Sequence, residues 1–178
     1  MSNLKSFNIY DTPVLRSVDL TRALERFAGL LAGDVGARGI SLSVDVAEDA
    51  RWVQVDARCL HQVLLNLVTN SVDALAGRPA PRISLTADVL GEEVAIAVTD
   101  NGVGIASEDL AQLFRPFRTT KAKGTGLGMV IVKKMLNAMG AGLHVSSAVD
   151  EGTVVTITVP RASEGGAPRG GGAPRSGP

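Results

Sequence analysis

Two asparagines stand four residues apart in the run Asn66-Leu-Val-Thr-Asn70. On a helix that spacing places both carboxamides on one face, one turn apart. An amide oxygen is a reasonable ligand for Mg²⁺, a hard cation that usually keeps several waters and binds phosphate oxygens too. The same pair would equally serve as a solvated helix edge or as a cap for a neighbouring loop. A second group is Asp100-Asn-Gly-Val-Gly-Ile105. An ionised carboxylate only accepts hydrogen bonds. At a strand end it could take the exocyclic amine of adenine and reject guanine, which carries a carbonyl there. The glycines would let the backbone approach a base closely. The competing reading is a plain turn, since Asp-Asn-Gly is strong turn chemistry.

Two further segments belong with these. Leu113-Phe-Arg-Pro-Phe-Arg-Thr-Thr-Lys121 carries two aromatics inside a polar loop. They either anchor the loop to the core or clamp a lid whose Thr119, Thr120 and Lys121 reach phosphates. Gly124-Thr-Gly-Leu-Gly128 opens a helix. Glycine-rich backbone leading into a helix N-terminus is a ready phosphate site, because unpaired N–H groups and the helix dipole point outward. It could also be only a flexible connection. It is not the P-loop, since no Gly-Lys-Ser/Thr follows. It is not a convincing dinucleotide fingerprint either, because no parallel βαβ unit surrounds it.

The elements that must hold these groups are legible from periodicity. Leu20, Leu24, Phe27, Leu30 and Leu31 recur at helical spacing, with Gly33 as the expected stop. Ile40 to Val46 alternates and reads as a strand, followed by a short strand at 51–55. Asp56 is a good N-cap for a helix through Ala76, with Leu60, Val63, Leu64, Leu67, Val68 and Val72 as its apolar stripe. Strands at 82–90 and 93–99 meet at Gly91, a hairpin signal. Residues 100–126 read as a long loop, and loops above about 12–15 residues are usually functional or disordered. A helix from about Thr125 to Met139 closes at Gly140, and strands at 143–148 and 153–159 flank an Asp150-Glu-Gly152 turn. The expectation is an α+β, two-layer α/β sandwich: a mixed sheet of about five strands with three helices on one face.

The joint occurrence of the four segments, in this order and at these separations, resembles the catalytic, ATP-binding domain of bacterial sensor histidine kinases. That family lies within the wider gyrase, chaperone, histidine-kinase and mismatch-repair ATPase superfamily, whose fold is the Bergerat sandwich. The helix from His61 to Leu75 resembles the N box, Asp100 to Ile105 the first glycine box, and Gly124 to Gly128 the second. Leu113 to Lys121 resembles the F box, with the Thr-Thr-Lys ending common in nitrogen-regulation-type kinases. The ending from Gly142 to Pro160 is similar to the family's closing hairpin. The likeness spans roughly residues 14–160. It implies ATP and Mg²⁺ as cofactors. Asn70 would coordinate the metal, with Asn66 supporting phosphate or a metal-bound water. Asp100 would read adenine, and Gly102, Gly104 and Ile105 would form the base pocket. Gly124, Thr125, Gly126, Leu127 and Gly128 would cradle phosphate. Thr119, Thr120 and Lys121 would belong to the lid, with Lys121 among the catalytic groups beside Asn66 and Asn70. Thr153 would help hold the base or the water beside Asp100.

Departures from the family pattern sharpen the expectation. Hydrolysing branches carry a Glu as general base four residues before the metal Asn. Here that place is Asn66, and an amide cannot take a proton at neutral pH. This favours transfer to an imidazole over hydrolysis, and argues against an anti-sigma-type serine kinase. Position 118 is Arg, where the family pattern often has Phe, and Asp73 occupies a place where many relatives carry a basic residue. The chain's histidines are His61 and His144, followed by Gln62 and Val145, so neither has the acidic neighbour of a phosphoacceptor. The acceptor histidine is expected on a separate dimerisation domain, in cis of a longer parent or in trans, with a response regulator downstream. A regulatory ATP-binding module without catalysis is the alternative of a different class.

Composition sets outer bounds. The 178 residues suit one domain, with a formal net charge of zero and one cysteine, Cys59. No basic surplus argues for nucleic acid. A lone cysteine in an apolar stretch suits a reducing cytoplasm. No apolar run nears the roughly 20 residues of a membrane helix, so no membrane contact by this chain is expected, although a parent protein could be anchored. Residues 1–13 read as a leader, with Leu4 to Phe7 similar to the end of a dimerisation helix, and 14–160 as the catalytic domain. Residues 161–178 are rich in Gly and Pro and read as a disordered tail. A monomer is expected.

Overall fold

The computed structural model describes residues 12–116 and 126–164. In chain order the strands and helices are β1 (Arg16–Asp19), α1 (Leu20–Ala37), β2 (Ser41–Val46), β3 (Trp52–Val55), α2 (Ala57–Ala74), β4 (Arg82–Leu90), β5 (Glu93–Asp100), α3 (Ser107–Leu110), α4 (Gly128–Ala138), β6 (Gly142–Ala148) and β7 (Gly152–Pro160), with a 3₁₀ turn at Glu48–Ala50. The main sheet has five strands in the order β2-β4-β5-β7-β6. Only the β2–β4 pair is parallel. This is the expected mixed sheet of a two-layer α+β sandwich.

Register decides which residues meet the helices. Val94, Ile96, Val98 and Asp100 share one face of β5, and every one is buried. Their partners on β7 are Val159, Ile157, Val155 and Thr153, also buried. The intervening residues on β4, β5 and β7 are largely Ala, Thr and Ser and are half-buried or exposed. Under the apolar face lie Leu20, Leu24 and Phe27 of α1, Leu60, Leu64 and Leu67 of α2, and Val132 and Leu136 of α4, all nearly inaccessible to water. Burying each such side chain stabilises the fold by about 1.5–3 kcal/mol.

Four details differ from the sequence expectation. The first helix passes Gly33 and runs to Ala37. Val35 is 3 % exposed, so burial at its far end outweighs the roughly 1 kcal/mol that a helical glycine costs. Arg38 caps the helix, Gly39 follows with φ 71°, and Ile40 N–H closes back on the Val35 carbonyl at 3.0 Å. The strand at 52–55 does not join the main sheet but pairs with the unpredicted β1. The long loop contains α3, whose Glu108 and Asp109 in the first turn complement the helix dipole. The last helix begins at Gly128 rather than near Thr125.

Beyond β7 the backbone stays attached. Arg161 N–H bonds the Glu92 carbonyl at 3.1 Å and Ala162 N–H the Trp52 carbonyl at 2.8 Å. The Ser17 hydroxyl bonds the Ser163 carbonyl at 2.8 Å. These residues join the β1–β3 pair to the main sheet.

Candidate functional site

Asp100 is the last residue of β5 and continues its core-facing ladder, yet it is a carboxylate 6 % exposed. A buried charge of this kind needs hydrogen bonds. Its Oδ2 accepts from the Ser71 hydroxyl at 2.7 Å. Its Oδ1 accepts from Gly102 N–H at 2.9 Å. Each carboxylate oxygen has a second lone-pair site. Acceptor capacity therefore remains after both bonds are made.

Ser71 is itself buried, one residue after Asn70 on α2. It ties the helix that carries the asparagines to the turn that carries the carboxylate. Asp56 caps the far end of α2, accepting from Arg58 N–H at 2.9 Å and Cys59 N–H at 3.3 Å. Its other oxygen accepts from Val14 N–H at 2.9 Å and Arg58 Nη2 at 3.1 Å. Burial alone would raise its pKa. The Arg58 guanidinium and those N–H groups more than offset this and hold it at about 2. Cys59, buried behind the cap, has its thiol pushed upward by burial.

Asn66 and Asn70 are both half-buried beside the apolar stripe of α2. The Asn66 Nδ2 is inaccessible to water and has no hydrogen-bond partner among the described residues. An orphaned amide donor costs about 1–3 kcal/mol. It is the kind of group an anionic ligand or a bound water would satisfy. Among the described residues no three His, Cys, Asp or Glu side chains gather to hold an ion. A divalent cation here would therefore depend on amide oxygens such as that of Asn70 and on ligand phosphates.

The turn after Asp100 is pinned on two sides. A Cβ on Gly102 would lie 2.7 Å from the Ala74 Cβ and 2.8 Å from both the Ala74 carbonyl and Asp100 Oδ1. Val103 N–H bonds the Ala74 carbonyl at 3.0 Å. Gly104 has φ 69°, and a Cβ there would overlap the Ala148 carbonyl. These glycines thus have a packing reason that sequence did not reveal: the turn is wedged between the end of α2 and the β6–β7 turn. Ile105 N–H then bonds the Ser147 hydroxyl at 2.9 Å.

Thr153 faces Asp100 across the β5–β7 ladder, and Ser147 faces Thr153 across β6–β7. Ser147 Oγ donates to the Gly152 carbonyl at 2.7 Å and lies 2.9 Å from Thr153 Oγ1. With the serine proton committed to Gly152, the threonine hydroxyl donates to Ser147. Ser71 and Ser147 were missed in the sequence, because each acquires its role only through contacts with distant segments.

Gly126, Leu127 and Gly128 stand at the start of α4, where Gly126 has φ 67° and Leu127 provides no side-chain cap. Thr119, Thr120, Lys121, Gly124 and Thr125 lie outside the described residues, as do Phe117 and Arg118. Phe114 is described and half-buried, with Lys133 Nζ of α4 at 4.9 Å from its ring centre. A cavity of about 210 Å³ is lined by Asp100, Ser147 and Thr153 among others. A larger one, about 420 Å³, sits by Asp56 at the other end of α2 and touches none of the expected site residues.

Residues 55–163 match the family model for histidine kinase-, DNA gyrase B-, and HSP90-like ATPases. The chain belongs to that family. Within it, the likeness is to the ATP-binding catalytic domain of sensor histidine kinases. The sensor histidine kinase ZraS of Escherichia coli is 36% identical over 146 residues, covering 82% of this chain and 31% of the relative. The C4-dicarboxylate transport sensor protein DctB of Pseudomonas aeruginosa is 36% identical over 144 residues, covering 79% of this chain and 24% of the relative. Among solved structures, full-length ShkA in complex with AMPPNP superposes with a TM-score of 0.75 at 29% identity, over 85% of this chain and 32% of that one. The catalytic domain of histidine kinase ThkA gives 0.73 at 26% identity, over 83% of this chain and 96% of that one. The chain thus spans about a third or less of the two curated relatives and nearly all of the isolated ThkA domain. For this ATPase family member, no helix among the described residues is long and apolar enough to cross a membrane.

Proposed function

We propose that this chain binds Mg-ATP and donates the γ-phosphate to a histidine on a separate phosphoacceptor domain, in cis of a longer protein or in trans, with a response regulator downstream. The observation that carries the reading is Asp100, a buried carboxylate built into the core face of the sheet with acceptor capacity left over. An exocyclic amine satisfies that acceptor and a guanine carbonyl repels it. Thr153, on the next strand, completes the polar floor beside it.

The phosphate end is supported by three features. α4 starts at a glycine without a side-chain cap, so its N-terminal N–H groups suit an anion. Asn66 Nδ2 is a buried donor in want of an acceptor. Asn70, one turn on, offers an amide oxygen to the metal. Mg²⁺, when bound, would neutralise phosphate charge, and in phosphoryl transfer the protein's part is mostly positioning and electrostatics. Lys121, Thr119 and Thr120 are assigned to the lid, and Gly124 and Thr125 to the phosphate loop with Gly126, Leu127 and Gly128. Asn66 stands where a hydrolase needs a proton acceptor, so water activation is not this chain's task. The catalytic unit is taken as residues 14–160, between the leader and the Gly- and Pro-rich tail.

Calorimetric titration of the full chain with ADP and a non-hydrolysable ATP analogue, with and without Mg²⁺ and against GDP, tests the reading. Saturable binding that prefers adenine and strengthens with Mg²⁺ is expected. No binding at millimolar nucleotide would overturn it and favour a docking module that keeps the fold as scaffold.

A further inference from the structure

Arg78 lies in the loop between α2 and β4 and has no part in the reading above. Its Nη2 donates to the Asp150 carbonyl at 2.7 Å and its Nη1 to the Asp150 carboxylate at 3.0 Å. Its Nε donates to the Asn101 carbonyl at 3.3 Å. One side chain, 25 % exposed, therefore joins the exit of α2, the turn after β5 and the turn between β6 and β7. Both turns lead directly into the candidate base site. Asn101 follows Asp100, and Asp150 stands three positions before Thr153.

The two turns also touch through backbone. Asp150 N–H bonds the Val103 carbonyl at 2.9 Å. Gly152, with φ 109°, has no room for a Cβ against the Asp100 carbonyl. Arg78 adds a restraint from outside the sheet. A guanidinium is a planar fork whose donors hold fixed relative directions, so it sets the spacing of the groups it joins as well as their contact. We propose that Arg78 is a positioning residue for the nucleotide pocket: it sets the Asp100–Gly104 turn against Thr153, and so the place of the carboxylate that reads the base. This rests on the base-site assignment made above.

Charge is the lesser part of the device. Asp150 is 75 % exposed, and exposed ion pairs contribute little. The carbonyls of Asp150 and Asn101 are the anchors. Asp150 holds φ 66°, a conformation that Asn also tolerates, so Asp150→Asn keeps the backbone and removes only the charge.

The test titrates the wild-type chain, Arg78→Ala, Arg78→Lys and Asp150→Asn with ADP, and with inorganic pyrophosphate as a probe of the phosphate end, all with Mg²⁺. It is run at a temperature where circular dichroism shows each variant folded. Arg78→Ala is expected to weaken ADP about tenfold, the scale of one charged hydrogen bond, with pyrophosphate unchanged. Asp150→Asn should stay within about twofold, the scale of an exposed ion pair. Arg78→Lys should fall between, and it carries the test if Arg78→Ala does not fold. A lowered melting temperature with ADP affinity unchanged in both Arg78 variants would overturn the proposal and leave a purely structural arginine. Equal weakening of ADP and pyrophosphate would overturn it too, by moving Arg78's effect to the phosphates. A wild-type chain that binds pyrophosphate but not ADP would sink the base-site reading itself, and this inference with it.

Discussion

At the scale of single residues, the proposed site depends on a carboxylate that extends a row of apolar side chains. Asp100 extends the row Val94, Ile96, Val98 and faces the same helices. Its two internal bonds fix it and leave acceptor sites open, which the proposed reading assigns to the base. Asp100→Asn replaces one acceptor oxygen by an NH₂ group. Facing the Gly102 N–H or the ligand's amine, that group opposes another donor; facing Ser71, it displaces the hydroxyl proton that Oδ2 now accepts. We expect ADP affinity to fall at least tenfold, since an unpaired buried polar group costs about 1–3 kcal/mol. Ser71→Ala should weaken ADP by a smaller factor than Asp100→Asn, because it removes a donor that fixes the carboxylate and leaves both carboxylate oxygens able to accept from the base. Calorimetry on both variants decides it, and unchanged ADP affinity in Asp100→Asn would contradict the assigned role. Asp100 could be singled out in the sequence because it ends an apolar alternation and begins a glycine-rich turn. Ser71 could not. It follows Asn70 as an ordinary helical serine, and its partner lies 29 positions away.

At the scale of elements, periodicity found the helices and strands that carry the site and missed what ties them together. The apolar stripe of α2 and the alternation of β4, β5 and β7 follow from their own residues. β1 is too short to show a pattern, and its partner is distant in sequence. A buried Val35 carries α1 past Gly33, where the local glycine signal alone predicts its end. The glycine turn between β5 and α3 was readable as a turn, while its packing against Ala74 and Ala148 was not. That packing makes a prediction. Gly104→Ala meets both a left-handed φ of 69° and the Ala148 carbonyl. The conformational penalty and the overpacking together come to about 3 kcal/mol. A melting experiment should show a fall of roughly 10 °C for a domain this size, and an unchanged midpoint would mean the turn can move aside. The α2 cap makes another. The Asp56 carboxyl is held at about 2 against an ordinary value of 3.8. A group depressed on folding stabilises above its unfolded pKa and loses that contribution as pH falls towards the folded one. The cap should thus contribute about 2 kcal/mol at neutral pH, lost between about pH 4 and pH 2. Denaturant titrations of wild type and Asp56→Asn should differ at pH 7 and converge near pH 2. Parallel stability curves across that range would show that the charge has no such role.

At the scale of the whole molecule, the proposed transfer raises the question of what would receive the phosphoryl group. His61 lies on the exposed side of α2, its ring edge-on to Phe27 with centroids 5.3 Å apart. His144 stands on the edge strand β6, opposite Thr156. Neither is followed by an acidic residue, and neither is drawn into the hydrogen-bonded row of Asp100, Thr153 and Ser147. An efficient acceptor must hold its imidazole in line with the transferring group, and misplacement by even about 1 Å costs some hundredfold in rate. A chain whose histidines sit on an exposed helix face and an edge strand should therefore label itself feebly. Supplied with a two-helix domain bearing a His followed by an acidic residue, it should transfer from radiolabelled ATP to that domain. The product should be acid-labile and alkali-stable, as phosphohistidine is. An acid-stable product would redirect the assignment to a hydroxyl acceptor. Rapid labelling of the isolated chain, abolished by His61→Ala or His144→Ala, would overturn the view that the acceptor lies outside it. In the proposed reaction the nucleotide half draws on residues that one sheet register and one helix place together, and the acceptor half has no counterpart among the described residues.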